Sequence, residues 1–201
     1  MTPELNEQAL RRQLSAISVR TYDRGLVRGS GGNVSARLDE RTMLITASGL
    51  TLGDTTLENI VKVNLETRRW EAREPFIPSK EFHFHIEIYQ ARPDVNAIVH
   101  CHPPCATAYA VRRIDIPYVT DAAFKQPPMP HVSFSPSGSA ELARKVREAA
   151  ESSSDFRVML LDEHGIVGVG SDLMQAFIWA DLAEEMAQIA LLASFLGPDP
   201  D

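Results

Sequence analysis

The segment Asn96 to His102 alternates side to side and carries two histidines, His100 and His102, two residues apart. On an extended strand, positions i and i+2 project to the same face, so Ile98, His100 and His102 line up together. Two imidazoles so placed can converge on one divalent cation, each nitrogen roughly 2.0–2.1 Å from a zinc ion. The same spacing also suits two half-buried strand histidines satisfied by backbone groups. A third ligand elsewhere in the chain would decide between these readings. His164 is the best candidate: it stands in the turn Asp162-Glu-His-Gly165 between two apolar runs, from where a side chain can swing toward other strands.

Glu81 lies upstream in Pro78-Ser-Lys-Glu-Phe-His-Phe-His85. In most proteins it would be an ordinary acid in the first turn of a helix. Beside a metal it becomes a candidate proton carrier, because burial and a shared proton can move a carboxylate pKa toward neutrality. His83 and His85 follow on the same helix and read as support. Cys101 alternates away from the histidine face and reads as a packing residue. His131 falls in an irregular, proline-rich stretch from Asp115 to Ser135 and reads as a surface or loop residue, not a ligand.

Several elements must position these groups. Apolar residues Leu5, Ala9, Leu10, Leu14 and Ile17 recur at helical spacing between Pro3 and Asp23. Gly29-Ser-Gly-Gly-Asn-Val-Ser-Ala-Arg37 is a glycine-rich turn entering a strand; its amides, Asn33 and Ser35 can meet phosphate oxygens, or it can be simply a turn. It matches neither the P-loop nor the dinucleotide-binding pattern. Arg41–Ala47 predicts a strand ending at Ser48-Gly49, and 59–65 with 69–71 predicts a hairpin. A helix is expected to open at Pro78-Ser79, with Ser79 as N-cap and Phe82, Ile86 and Tyr89 as its buried stripe, and to end at Arg92-Pro93. Short helices are expected after Pro103-Pro104 and after Ser137, then a hairpin of Val158–Leu161 with Ile166–Gly170, then a long apolar helix from Asp172 to Leu196. Tight turns between strands and flanking helices predict an α/β fold: a single-domain α/β/α sandwich over residues 1–201, its mainly antiparallel central sheet covered by helices.

With 201 residues, 44% hydrophobic and 23% charged, the chain is an ordinary globular protein of one-domain size. A net charge of -7 argues against nucleic acid or an anionic membrane as partner. The sequence opening MTPELNEQALRRQL shows no secretory pattern, no run is apolar enough to span a bilayer, and the two cysteines make no disulfide framework. A cytoplasmic location is expected.

The order GGNVSAR, ITASG, PSKE…H…RPD…VHCHP and a late HG before a long helix resembles the class II aldolase/adducin family from about residue 5 to 196. The resemblance implies that His100, His102 and His164 hold one divalent metal, zinc foremost with manganese or cobalt acceptable to three imidazoles. It implies that Glu81 is the acid/base, and that Asn33, Ser48, Gly49, Ser79 and Lys80 surround a substrate phosphate. The activity implied is a metal-dependent lyase cleaving a small phosphorylated ketose through a metal-stabilised enediolate. Decarboxylation, epimerisation or dehydration of a related sugar or keto-acid phosphate uses the same intermediate. Family aldolases carry an extension past the last helix with a tyrosine near the substrate, whereas this sequence ends at Asp201 and offers Tyr118 as an unaligned aromatic. Adducin-type relatives, which are non-catalytic assembly modules, lose the metal ligands that this chain keeps. The family also implies a homotetramer.

Overall fold

The computed structural model describes residues 3–153 and 155–197. The side chain of Leu5 and the closing residues 198–201 lie outside the described residues. Eight strands form one sheet: β1 (Asn33–Arg37), β2 (Thr42–Thr46), β3 (Ile60–Asn64), β4 (Trp70–Glu71), β5 (Ala97–Cys101), β6 (His131–Val132), β7 (Val158–Leu161) and β8 (Gly165–Gly170). Their order is β4-β3-β2-β1-β5-β8-β7-β6, and every pairing is antiparallel except β6 with β7. Helices α1 (Pro3–Asp23), α2 (Phe82–Ala91), α3 (Pro104–Arg112), α4 (Asp121–Phe124), α5 (Ala140–Ser152) and α6 (Leu173–Ser194), with a single 3-10 turn at Leu52–Asp54, complete the described elements.

Both faces of the sheet are covered, which explains why β5 reads as an almost uninterrupted apolar run and is buried throughout. Its alternation sends Val99 and Cys101 to one side, against Leu14 and Ile17 of α1, Ala106 and Ala110 of α3, and Ala176, Ala180 and Ala187 of α6. Ile98 goes to the other side, against Phe84, Ile86 and Tyr89 of α2 and Leu142 and Val146 of α5. Each Ile or Leu so buried contributes roughly 1.5–3 kcal/mol. The α/β/α sandwich expected from the turn pattern is therefore the observed architecture. Among the described residues no helix is long and apolar enough to cross a membrane.

Three local expectations need correction. The helix after Pro78 begins at Phe82, not at Ser79. Residues 77–79 instead run as extended chain beside the end of β2: Ser48 N–H donates to Ile77 O (2.9 Å) and Ser79 N–H donates to Thr46 O (3.1 Å). Ser79 Oγ faces the Glu81 amide at 3.4 Å and Ser79 O accepts from Phe82 N–H, closing a turn ahead of the helix, and Glu81 takes the cap position, its own side chain making no cap bond. The stretch from Asp115 to Ser135 is not wholly irregular, because it holds α4 and β6. His131 is accordingly an edge-strand residue paired in register with Leu160, not a loop residue.

Register brings the chemically interesting residues to one end of the sheet. Asn33, first in β1, lies opposite His100 in β5. His100 in turn lies opposite Val167 in β8, and Cys101 opposite Ile166, so the residues just past β5 and just before β8 leave the sheet side by side. The bridge from Ala47 to Pro78 delivers the start of α2 to the same end.

Candidate active site

The ring nitrogens of His100, His102 and His164 lie within 4.8 Å of one another, a grouping that can hold a metal ion. His100 is fully buried; His102 and His164 are half-buried at the edge of a cavity of about 350 Å³. His100 Nδ1 faces the Ile166 carbonyl at 2.9 Å, and a carbonyl only accepts, so Nδ1 carries a proton and Nε2 is the nitrogen turned to the cluster. Nε2 is 3.0 Å from His102 Nε2, a spacing at which two imidazoles share one proton or one cation.

Burial, and next the neighbouring His100, push His102 down to about 3; burial and the same neighbour push His164 down to about 4. Both rings are therefore neutral near pH 7, the ligating form. Close approach to His102 depends on two glycines. A Cβ at Gly31 would sit 2.9 Å from His102 Nδ1, and one at Gly165 would sit 2.5 Å from both the Cys101 carbonyl and His102 Cδ2. Donor type, protonation and packing all fit a divalent ion of the nitrogen-preferring kind.

Glu81 closes the group. Its Oε2 is 3.2 Å from His100 Nε2 and accepts from Asn33 Nδ2 at 2.9 Å. Its Oε1 is 3.3 Å from His164 Nε2 and accepts from Ser137 Oγ at 2.7 Å. Burial alone would raise this carboxyl, but His100, the Ser137 hydroxyl and His164 outweigh it and hold Glu81 well below the usual carboxylate range. The shift toward neutrality expected from sequence is thus reversed: with these neighbours the side chain stands ionised.

Asn33, Ser48, Gly49, Ser79 and Lys80 all line the cavity that Glu81, His102 and His164 face, so the five residues expected around an anion are brought together. Lys80 is close enough to His164 to help depress its pKa, which places a positive charge at this end of a chain of net charge -7. Two further lining residues, Ser30 and Ser137, are absent from the sequence expectations. Ser137 precedes the N-cap Ser139 of α5 and reads in sequence as part of a helix-start signal. Only the packing of α5 against α2 brings it to Glu81, fifty-six positions upstream. His83 packs on Phe82 and lies 3.4 Å from Arg68 Nη1, away from this cluster; His85 is buried behind Asn33.

Comparison with known proteins identifies the family. The family model for the class II aldolase and adducin N-terminal domain matches residues 12–191. An L-fuculose phosphate aldolase of Methanococcus maripaludis is 37% identical over 169 residues, covering 84% of this chain and 88% of the relative. A 3-oxo-tetronate 4-phosphate decarboxylase of Pectobacterium atrosepticum is 34% identical over 201 residues, covering 96% of this chain and 87% of the relative. Among solved structures, an L-fuculose-1-phosphate aldolase from Thermus thermophilus superposes with a TM-score of 0.81 at 27% identity, covering 95% of this chain and 98% of that one.

Proposed function

We propose that this chain, which belongs to the class II aldolase and adducin family, is a divalent-metal-dependent lyase that cleaves a carbon–carbon bond in a small phosphorylated ketose. The observation that carries this reading is the contact of one ionised carboxylate, Glu81, with two of three converging imidazoles, at 3.2 and 3.3 Å, inside a cavity also lined by Lys80. An assembly module has no use for three histidine nitrogens gathered within 4.8 Å of one another beside a buried carboxylate, which disfavours the adducin-like alternative.

His100, His102 and His164 would hold the ion, with zinc first and manganese or cobalt as substitutes. When bound, it supplies Lewis-acid stabilisation of negative charge developing on substrate oxygens. Glu81 holds and returns a proton at the substrate carbon, and Ser137 and Asn33 fix the direction in which its oxygens present their lone pairs. Asn33, Ser48, Gly49, Ser79 and Lys80 receive the phosphate, Lys80 adding charge and Gly49, at φ +80°, offering an amide from a backbone conformation that favours glycine.

A second reading, decarboxylation of a keto-acid phosphate, is supported by the similarity to the Pectobacterium decarboxylase across 96% of the chain. Both reactions place negative charge on a carbon beside a carbonyl, as epimerisation and dehydration of such phosphates also do, and the site residues serve each equally. The continuous sheet supports one domain over residues 1–201. Unpaired Cys101 and Cys105 support a cytoplasmic setting. Exposed Val111, Ile114, Val119 and Phe124 support burial against further copies in a homotetramer. The deciding experiment incubates zinc-, manganese- and cobalt-loaded protein with a panel of ketose and keto-acid phosphates and identifies products by mass. Release of an aldehyde with a three-carbon phosphate supports the aldolase, release of carbon dioxide supports the decarboxylase, and turnover of none of the panel overturns both.

A further inference from the structure

Behind Asn33, away from the cavity, three more polar side chains are packed where no water reaches. Ser35, His85 and Tyr89 are at most 1% exposed, and they form a single file with Asn33 and Glu81. Tyr89 Oη is 2.8 Å from Ser35 Oγ, Ser35 Oγ is 2.7 Å from His85 Nδ1, and His85 Nε2 is bonded to Asn33 Oδ1, whose Nδ2 donates to Glu81.

The direction of every bond in the file follows from its end. Asn33 Nδ2 donates to Glu81 Oε2, so the amide oxygen is the atom that faces His85. That oxygen only accepts, so His85 carries its proton on Nε2. A neutral imidazole with Nε2–H has a bare Nδ1, so the Ser35 hydroxyl must donate to it. Ser35 then has lone pairs left, and the Tyr89 hydroxyl donates to one of them. No step can be reversed without setting two acceptors or two donors against each other in the interior.

We propose that His85 is a positioning residue: its Nε2–H, with Ser35 and Tyr89 filling the space behind its Nδ1, caps the Asn33 amide oxygen and, together with Glu81, holds the amide with its NH2 group toward the carboxylate and the cavity. One hydrogen of that group is used on Glu81, and the other is available to an oxygen of an anionic substrate. With the amide reversed, a carbonyl oxygen would face both the carboxylate and the incoming anion. This inference rests on the reading of Asn33 and Glu81 as substrate-facing groups.

The test compares unaltered protein, His85→Leu, which removes the donor, and His85→Gln, which keeps an N–H donor near the same place, all metal-loaded. The probe is inorganic phosphate, followed by calorimetric titration. His85→Leu should weaken phosphate binding by roughly tenfold or more, the effect of losing a hydrogen bond to a charged group. His85→Gln should restore it to within about threefold. Metal content and circular dichroism should match in all three. A merely structural role would lower the melting temperature of both variants without this recovery.

Nitrogen NMR of the His85 ring in unaltered protein should show the neutral Nε2–H tautomer, and Ser35→Ala should keep it, because the Asn33 amide oxygen still takes that hydrogen. Should His85→Leu fail to fold, this ring signal and the Ser35→Ala variant decide the matter. Phosphate binding unaffected by a folded His85→Leu, or an Nδ1–H ring in unaltered protein, overturns the proposal. If unaltered protein binds no phosphate, the anion-site reading fails, while the ring tautomer still judges the role of His85.

Discussion

Asp162 and His164 stand two residues apart around the turn from β7 to β8, yet each belongs to a different histidine–carboxylate group. Asp162 faces the sheet edge, where its Oδ1 lies 2.7 Å from Nδ1 of His131. The other nitrogen of that ring is 3.3 Å from Asp115, an ion-pair distance without hydrogen-bond geometry, to a side chain 90% exposed. His164 faces the centre, with His100, His102 and Glu81. In the first group one imidazole lies between two carboxylates and both its nitrogens are directed at protein oxygens. In the second, two of three clustered imidazoles touch one carboxylate, and His100 turns Nε2 to the cluster because Ile166 O takes Nδ1–H. A histidine beside an acid is common; what distinguishes a metal-competent group is the surplus of imidazole nitrogens gathered at one point.

The widest separation between the two groups is expected in metal content. His100→Ala should leave the purified protein with background metal only, while His131→Ala should keep about one ion per chain, as a three-histidine site requires. Mass-spectrometric metal analysis of the two variants beside unaltered protein reads this directly. Metal lost equally from both would erase the distinction.

Next in size is the effect of Glu81→Gln, which keeps a side chain of the same shape but cannot take up a proton. Hydrogen exchange at the substrate carbon in deuterated water should fall by about 10²–10⁴-fold with metal retained. Asp162→Asn, at the edge group, should leave that exchange unchanged. Exchange that survives Glu81→Gln removes the proton-carrying role.

A smaller change is expected from Gly165→Ala. The added methyl carbon would meet the Cys101 carbonyl and the His102 ring at 2.5 Å, and the backbone carbonyl of a buried strand cannot yield as a flexible side chain would. His102 must tilt, and affinity for zinc in chelator competition should drop by roughly 10–100-fold, the effect of losing a group that orients a ligand. Undiminished affinity would mean that the three nitrogens need less precise placement than the packing implies.

Much of this arrangement was legible in the sequence, for reasons tied to particular residues. The His-x-His pair is a local, period-two signal, so His100 and His102 could be placed on one face without knowing the fold, and His164 could be singled out because a turn separates two apolar runs. The start of α2 lies two residues later than Ser79 as a cap implies, because residues 77–79 are held extended against the end of β2, a strand partner that no local pattern reveals. Ser137 was invisible for the same reason: its meaning depends on α5 lying across α2. The depressed pKa of Glu81 was misjudged because burial was weighed without the two imidazoles and two donors that the fold assembles around the carboxylate. Local periodicity reports which face a residue occupies, while charge environment and backbone bonds are set by neighbours distant in sequence.

The smallest expected effect concerns stability against pH. Burial holds His85 down at about 3, against an ordinary 6.5, so the folded chain refuses a proton that the unfolded chain accepts below pH 6.5. Stability from this source is complete above 6.5 and is lost progressively as pH falls toward 3, by up to about 1.4 kcal/mol per pH unit. His102 and His164 act in the same direction over the same upper window. Glu81, also lowered, adds its own loss only below its ordinary 4.5, so the interval from 6.5 to 4.5 isolates the histidines. Urea unfolding of chelator-treated protein at pH 6.5, 5.5 and 4.5 should therefore show a slope that His85→Gln reduces by about one proton, whereas Asp162→Asn, at the edge, should not flatten it in this way. A slope that His85→Gln leaves untouched would mean that His85 takes up a proton within the folded chain. Its Nδ1 would then carry a hydrogen toward Ser35, and the one-way file that orients Asn33 would hold only at higher pH.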